Sequence, residues 1–171
     1  LLTAKPEIFA VNVDEGELGV KSAPSSVAEI ARMLAVDPTS VVVISAKIES
    51  ELSSLGEEDQ KCYMQELGIE KSGLERLAET AYRTLGLQSF LTAGELEVRA
   101  WTIKKGTTAP QAAGVIHTDF TKKFIKAQVS SYEDFVTFSG WKGVKEAGKM
   151  RVEGKEYVMQ DGDVVEFMIG S

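Results

Sequence analysis

Two apolar runs near the start of the chain limit most strongly what it can fold into. KPEIFAVNV (5–13) sets Ile8, Phe9, Ala10 and Val11 side by side, and VVVISAK (41–47) repeats that texture. Contiguous apolar runs of this length read as strands buried on both faces, the mark of a parallel sheet. Between them lies SVAEIARMLAV, with Val27, Ile30, Ala31 and Leu34 on one helical face, opened by Ser26 and Glu29 as a capping box. Gly16, Gly19 and Pro24 mark the preceding stretch as a loop. Strand, helix and strand within about 40 residues make a βαβ unit, because parallel neighbours need a crossover rather than a tight turn.

A polar helical stretch over 49–67, interrupted near Gly56, comes next. SGLERLAETAYRTLGL then carries Leu74, Leu77, Ala78, Ala81, Tyr82 and Leu85 as one apolar stripe, stopped by Gly86. From residue 88 the texture changes. LTAGELEVRAWTI reads as a hairpin turning near Gly94, Pro110 opens a short helix, and KFIKAQVS alternates as a strand. SYEDFVTF reads as a short helix or turn, and the last twenty residues as short strands separated by Glu-Gly and Asp-Gly turns. These elements suit a small α+β domain.

Charge divides the chain at the same place. Residues 1–87 hold 8 Lys/Arg against 15 Asp/Glu, whereas residues 88–171 hold 11 of each. Ten of the 13 aromatic residues also fall in the second part. Two segments of different character follow. No run approaches the roughly 20 apolar residues needed to span a bilayer, and no signal peptide is visible, so the expectation is a cytoplasmic protein without membrane contact. The Leu-Leu start, without Met and close to a strand, raises the expectation of a fragment or processed chain. Cys62, the only cysteine, lies in a helical stretch with no second thiol and reads as a packing or surface residue.

Chemistry gathers at the ends of the two strands. Asn12 and Glu15 follow the first, and Ser45, Ala46 and Lys47 follow the second. Ligands of open α/β sheets bind at the carboxyl ends of strands, where these residues stand. Asn and Asp also end strands for purely structural reasons, and Ser-Ala-Lys is a frequent tripeptide. The pairing of the two, with a helix between, is what points to a ligand.

NVDE (12–15) and SAK (45–47) occupy the places of the fourth and fifth signature motifs of P-loop GTPases, normally Asn-Lys-x-Asp and Ser-Ala-Lys. With YMQELGIEKSGLERL, FLTAGELEVRAWTIKKGTTAPQAAGVIHTDF and EGKEYVMQDGDVVEF, the chain resembles the Obg-like ATPase (YchF) family over nearly its whole length. The resemblance implies an α/β fold class: the C-terminal part of a P-loop nucleotide-binding domain over residues 1–87, then a β-grasp, ubiquitin-like TGS domain over 88–171. In GTPases the last Asp of the fourth motif accepts from guanine N1–H and the 2-amino group while the Lys packs on the base. Here those positions hold Glu15 and Val13. Adenine offers no such donor pair, so the departure implies ATP. By the same resemblance Asn12 and the Val13 backbone contact adenine, Glu15 shapes the pocket, and Ser45, Ala46 and Lys47 border the base.

The sequence contains no G-x-x-x-x-G-K-[ST] loop and no Asp-x-x-Gly after a strand, so phosphate and Mg²⁺ ligands are expected outside this chain. The resemblance thus implies an intact ATPase cleaving ATP to ADP and phosphate, associated with the ribosome, whether its large subunit or the whole particle. These 171 residues alone are expected to be inactive, with no catalytic residue among them. An acidic sheet without upstream strands would expose an edge, so association or partial disorder of residues 1–87 is expected.

Three other constellations carry less. His117 and Asp119 make too few ligands for a metal, and a helix-end histidine is the simpler reading. Lys104, Lys105, Lys122, Lys123, Lys126, Lys142, Lys145, Lys149 and Arg151 interleave with Trp101, Phe124 and Trp141, a pattern that suits RNA. The second part is neutral overall, which favours an ordinary solvated face together with a core of buried aromatics; the family resemblance is what raises RNA contact through the TGS domain. The alternative reading of the chain is a non-catalytic TGS-type RNA or ribosome interaction module. A sulfur-carrier reading fails on Ile169-Gly170-Ser171, which lacks paired glycines.

Overall fold

A computed structural model describes residues 5–94 and 97–170. The chain separates into two compact units, one ending at Leu85 and one starting at Gly86.

The first unit runs β1 (Phe9–Asn12), α1 (Glu15–Lys21), α2 (Pro24–Leu34), a 3₁₀ turn (Pro38–Ser40), β2 (Val41–Ile44), α3 (Ala46–Ser53), α4 (Glu57–Glu66) and α5 (Gly73–Thr84). Strands β1 and β2 pair in parallel, Phe9 opposite Val41 and Asn12 opposite Ile44, with two helices in the crossover. Leu18, Val43, Ile48 and Leu52 are buried together, and Val11, Val13, Val27 and Ile30 pack against them. One face of the strand pair therefore rests on α1, α2 and α3.

Three sequence expectations need correction in this unit. Residues 15–21 are helical rather than loop: Asp14 enters in extended conformation, Glu15 and Glu17 stand in the positive first turn, and Leu18 anchors the helix in the core. The following helix starts at Pro24, two residues before Ser26, so Ser26 and Glu29 lie inside it and form no capping box. Proline is well suited to a first helical position because it lacks the N–H that would go unpaired there. Third, β1 is not buried on both sides. Its residues alternate between half-buried and exposed, and among the described residues β2 is its one strand neighbour.

The two edges of this sheet differ. Ile44 O accepts from Val13 N–H at 2.9 Å, so the neighbouring Val43 carbonyl faces away from β1. Arg76 Nη2 donates to it at 2.9 Å, and Arg83 Nη2 donates to Thr39 O at 2.7 Å. Helix α5 thus blunts the β2 edge with two guanidinium groups. Its start is well fixed: Ser72 Oγ accepts from Glu75 N–H at 3.1 Å, and Glu75 Oε2 accepts from Ser72 N–H at 2.7 Å. The break between α3 and α4 at Gly56 follows the sequence.

The second unit runs β3 (Leu87–Ala93), β4 (Val98–Lys104), α6 (Ala109–Ile116), α7 (Thr118–Lys123), β5 (Phe124–Ser131), α8 (Tyr132–Thr137), α9 (Trp141–Glu146), β6 (Arg151–Glu153) and β7 (Asp163–Ile169). Its five-stranded mixed sheet has the order β4-β3-β7-β5-β6, with β3 and β7 parallel. The β3–β4 hairpin turns beyond Gly94, whose N–H donates to Glu97 O at 2.9 Å; Glu95 and Leu96 of that turn lie outside the described residues. Helix α6 contributes Ala109, Ala112 and Ala113 to a core with Phe90, Ile103, Phe124, Val129 and Val165. Its small residues let the helix lie close to the sheet, and Pro110 stands in its first turn. Asp163, only 3% exposed, accepts from Tyr157 OH and Gln160 N–H, both at 2.8 Å, and from Arg151 Nη2 at 3.3 Å. Burial, and then the hydrogen bond to Asp163, push the Tyr157 hydroxyl up to about 12. Helices α7 and α9 were not legible in the sequence.

Candidate nucleotide-binding site

The parallel register sets the carboxyl ends of β1 and β2 side by side, and each leads into a helix within three residues. Asn12 closes β1. Its Oδ1 accepts from Ala46 N–H at 2.9 Å, across 34 residues of sequence. That bond supplies an acceptor to one of the first amides of α3, which have none within the helix. With its oxygen so used, the Asn12 side chain keeps its amide donors for other partners. Val13 N–H continues the ladder to Ile44 O, and the Val13 side chain packs into the core below.

Ser45 is 1% exposed and stands as the residue before α3, without a side-chain cap to that helix. Ala46 and Lys47 are exposed at its first turn. Lys47 Nζ meets Glu15 Oε2 at 2.5 Å, joining the first turn of α3 to the first turn of α1. The hydrogen bond and charge of Glu15 hold the Lys47 ammonium above its ordinary range, partly opposed by desolvation and assisted by Glu51. Glu51 in turn accepts from Tyr63 OH, which reaches across from α4. All six sequence-derived site residues, Asn12, Val13, Glu15, Ser45, Ala46 and Lys47, thus fall around one pair of strand ends.

The supports behind the site were not found from sequence. Glu49, on α3, accepts from Gly73 N–H at 2.6 Å and from Leu74 N–H at 3.2 Å, which clamps α3 to the start of α5. A Cβ on Gly73 would lie 2.8 Å from both Ile44 Cγ2 and Glu49 Oε1, so this approach needs glycine. The only signal was Gly73 at the start of a strong helix. His117 closes α6 and opens α7, its Nδ1 accepting from Asp119 N–H at 3.3 Å, in keeping with a helix-end role. A cleft of about 480 Å³ lined by Lys61, Met64, Gln65, Gly68, Ile69 and Glu70 shares no residue with the strand-end site. Among the described residues, no helix is long and apolar enough to cross a membrane.

Comparison with known proteins bears on both units. Residues 87–170 match the family YchF-GTPase_C, described as a protein of unknown function (DUF933). The ribosome-binding ATPase YchF of Bacillus subtilis is 50% identical over 167 residues, 98% of this chain and 46% of that protein. The Escherichia coli O157:H7 protein of the same name is 49% identical over 167 residues, 98% of this chain and 45% of that protein. The chain therefore spans about half the length of these relatives. Among solved structures, the Schizosaccharomyces pombe YchF GTPase shares 39% identity with a TM-score of 0.78, covering 98% of this chain and 44% of that one. A GTP-binding protein of Pyrococcus horikoshii, 17% identical with a TM-score of 0.59, shares the fold alone. The bacterial names say ATPase and the fission-yeast name GTPase, so the base is the point on which names divide. The chain belongs to the YchF family, of which it matches the C-terminal portion.

Proposed function

We propose that this chain is the base-recognition and C-terminal portion of a ribosome-associated protein that binds and hydrolyses ATP. The observation that carries the reading is the joining of two parallel strand ends by Asn12 Oδ1 and Ala46 N–H, beside the departures Val13 and Glu15 from the guanine-reading pattern. The names of the bacterial relatives support ATP and the ribosome as partners. In this reading residues 1–87 complete a P-loop nucleotide-binding domain, with Asn12 and the Val13 backbone on adenine and Ser45, Ala46 and Lys47 bordering it.

Phosphate and Mg²⁺ would be held by groups beyond these 171 residues; among those described, no three His, Cys, Asp or Glu side chains group to hold a metal. Bound Mg·ATP would supply the phosphoryl chemistry, and this chain's own residues would select and orient the base. Residues 88–171 are read as a TGS domain of β-grasp type, supported by a five-stranded mixed sheet with α6 in its core. That domain is the candidate contact to ribosomal RNA, in the cytoplasm.

Calorimetric titration of ATP and GTP into the longer protein that carries this sequence tests the reading. ATP binding with GTP weaker by an order of magnitude or more is expected. GTP preference overturns the base assignment. Binding of neither, with ribosome binding retained by residues 88–171, moves the function to a non-catalytic interaction module.

A further inference from the structure

The five-stranded sheet of the second unit ends on one side in β6, three residues long, and on the other in β4, seven residues long. We propose that the outer edge of β4 docks an extended acidic segment of a partner protein, which adds to the sheet as a further strand beside Val98 and Ala100.

Gly94 N–H donates to Glu97 O at 2.9 Å at one end of the β3–β4 ladder, and Lys105 N–H donates to Gly86 O at 2.8 Å at the other. Bonded pairs alternate with non-bonded ones along an antiparallel ladder. Arg99 and Trp101 therefore bond to β3, while Val98 and Ala100 turn N–H and C=O outward. Both residues are exposed, Val98 by 72%, and among the described residues β3 is the one strand that pairs with β4. Edges of this length are ordinarily bulged, shortened or covered, yet β4 keeps one regular register throughout. Four outward backbone groups suffice to start the pairing of an added strand.

Arg99, between the two, sets the charge of the segment that fits. Its guanidinium lies 4.2 Å from the centre of the Trp101 ring. Trp101 is itself held by packing on the core and by Nε1 donating to Thr92 Oγ1 at 2.9 Å. A guanidinium lying over a ring is held in place while the N–H donors on its rim stay available. Glu97 comes no closer than 4.0 Å and is 71% exposed, a loose partner. Lys104 and Lys105 add positive charge further along. On a segment lying antiparallel to β4, the residue opposite Arg99 shares its face, with Cβ atoms about 5 Å apart. An acid there meets the guanidinium, and β-branched residues on either side match Val98 and Ala100. The same positive charges set β4 against a second copy of itself. A nucleic acid has no strand ladder to offer, so the open backbone favours a peptide over RNA.

The test uses the longer protein and a fluorescein-labelled peptide, Ser-Val-Glu-Val-Asp-Val-Ser, followed by anisotropy. Saturable binding is expected, with hydrogen exchange slowed at the Val98 and Ala100 amides. Methylating the valine nitrogens of the peptide removes its donors to β4 and weakens binding about tenfold or more, which corresponds to about 1.4 kcal/mol. Ala100→Pro does the same from the protein side, because it removes an outward donor and leaves the β3–β4 ladder in place, with Trp101 and Ile103 amides still protected. Arg99→Gln lowers both the affinity and its dependence on salt. Should Ala100→Pro fail to fold, the methylated peptide decides on unaltered protein. No saturation up to about 1 mM peptide overturns the proposal. Undiminished binding of the methylated peptide, or equal binding of a peptide with lysine in place of both acids, overturns it too. Protection of the Val98 and Ala100 amides on raising protein concentration without peptide assigns the edge to a second copy, and overturns it as well.

Discussion

At residue scale, single contacts decide how firmly the strand ends are held. Gly73 is the tightest of them, since a methyl group there would meet Ile44, the last residue of β2, and the carboxylate of Glu49. Gly73→Ala is expected to cost about 1–3 kcal/mol, the usual penalty for overpacking, read as a lowered urea midpoint with unchanged slope. An unchanged midpoint would mean that α5 does not press on β2 as described. A second residue gives a signal in pH. Tyr157 ionises near 12 when folded, against about 10 when unfolded. A raised pKa contributes stability that is complete below the unfolded value and is lost as pH climbs through the folded one. Stability should therefore fall between about pH 10 and 12, and Tyr157→Phe should remove that part of the slope. Denaturation midpoints of the two proteins across that interval, falling in parallel, would contradict the part-buried Tyr157–Asp163 bond.

At the scale of elements, α5 separates what a sequence pattern says from what a fold uses. Its stripe predicts a helix correctly, and the capping box at Ser72 fixes where it begins. Yet Leu74 is 61% exposed and Leu85 59%, while the buried positions are Gly73 and Thr80. Periodicity identified the helix but not the face that this unit buries, because Arg76 and Arg83 must reach the β2 edge from the opposite side. Leu74→Gln in this chain is therefore expected to shift stability by no more than about 0.5 kcal/mol, whereas Leu52→Ala costs about 2–5 kcal/mol. A large loss from Leu74→Gln in urea denaturation would place that stripe in a core. Other elements were hidden for local reasons. Gly16 and Gly19 depress the helical signal of α1, and only burial of Leu18 overrides it. Helices α7 and α9 span six residues each, too short for a helical period to emerge. The candidate site residues could be picked out because they lie in two short motifs, which the fold sets at neighbouring strand ends. The Glu15–Lys47 pair could not, since its partners lie 32 residues apart and meet only through the parallel register.

At the scale of the whole molecule, the outer edge of β1, which pairs with no strand among the described residues, stands apart from the blunted edge of β2. Val13 N–H points to β2, and strand geometry then turns Val11 the same way and Ala10 and Asn12 the other way. Hydrogen exchange should therefore alternate along β1, with Val11 and Val13 protected and Ala10 and Asn12 fast. An unpaired edge also offers itself to other chains, so the 171-residue polypeptide should self-associate with rising concentration. Ala10→Pro discriminates edge pairing from other association, because it removes a donor on the open side and leaves the β1–β2 ladder in place. Sedimentation should show a weaker tendency to associate in Ala10→Pro, with β2 amides still protected. Association that persists unchanged would place the contact on another surface, with the exposed stripe of α5 as the next to test. The relatives are about twice the length of this chain; in the longer protein proposed above, the Ala10 and Asn12 amides should become protected if a further strand pairs there. Fast exchange at both amides in that protein would make β1 a true edge of the folded domain, and a P-loop sheet built outward from β1 would then be excluded.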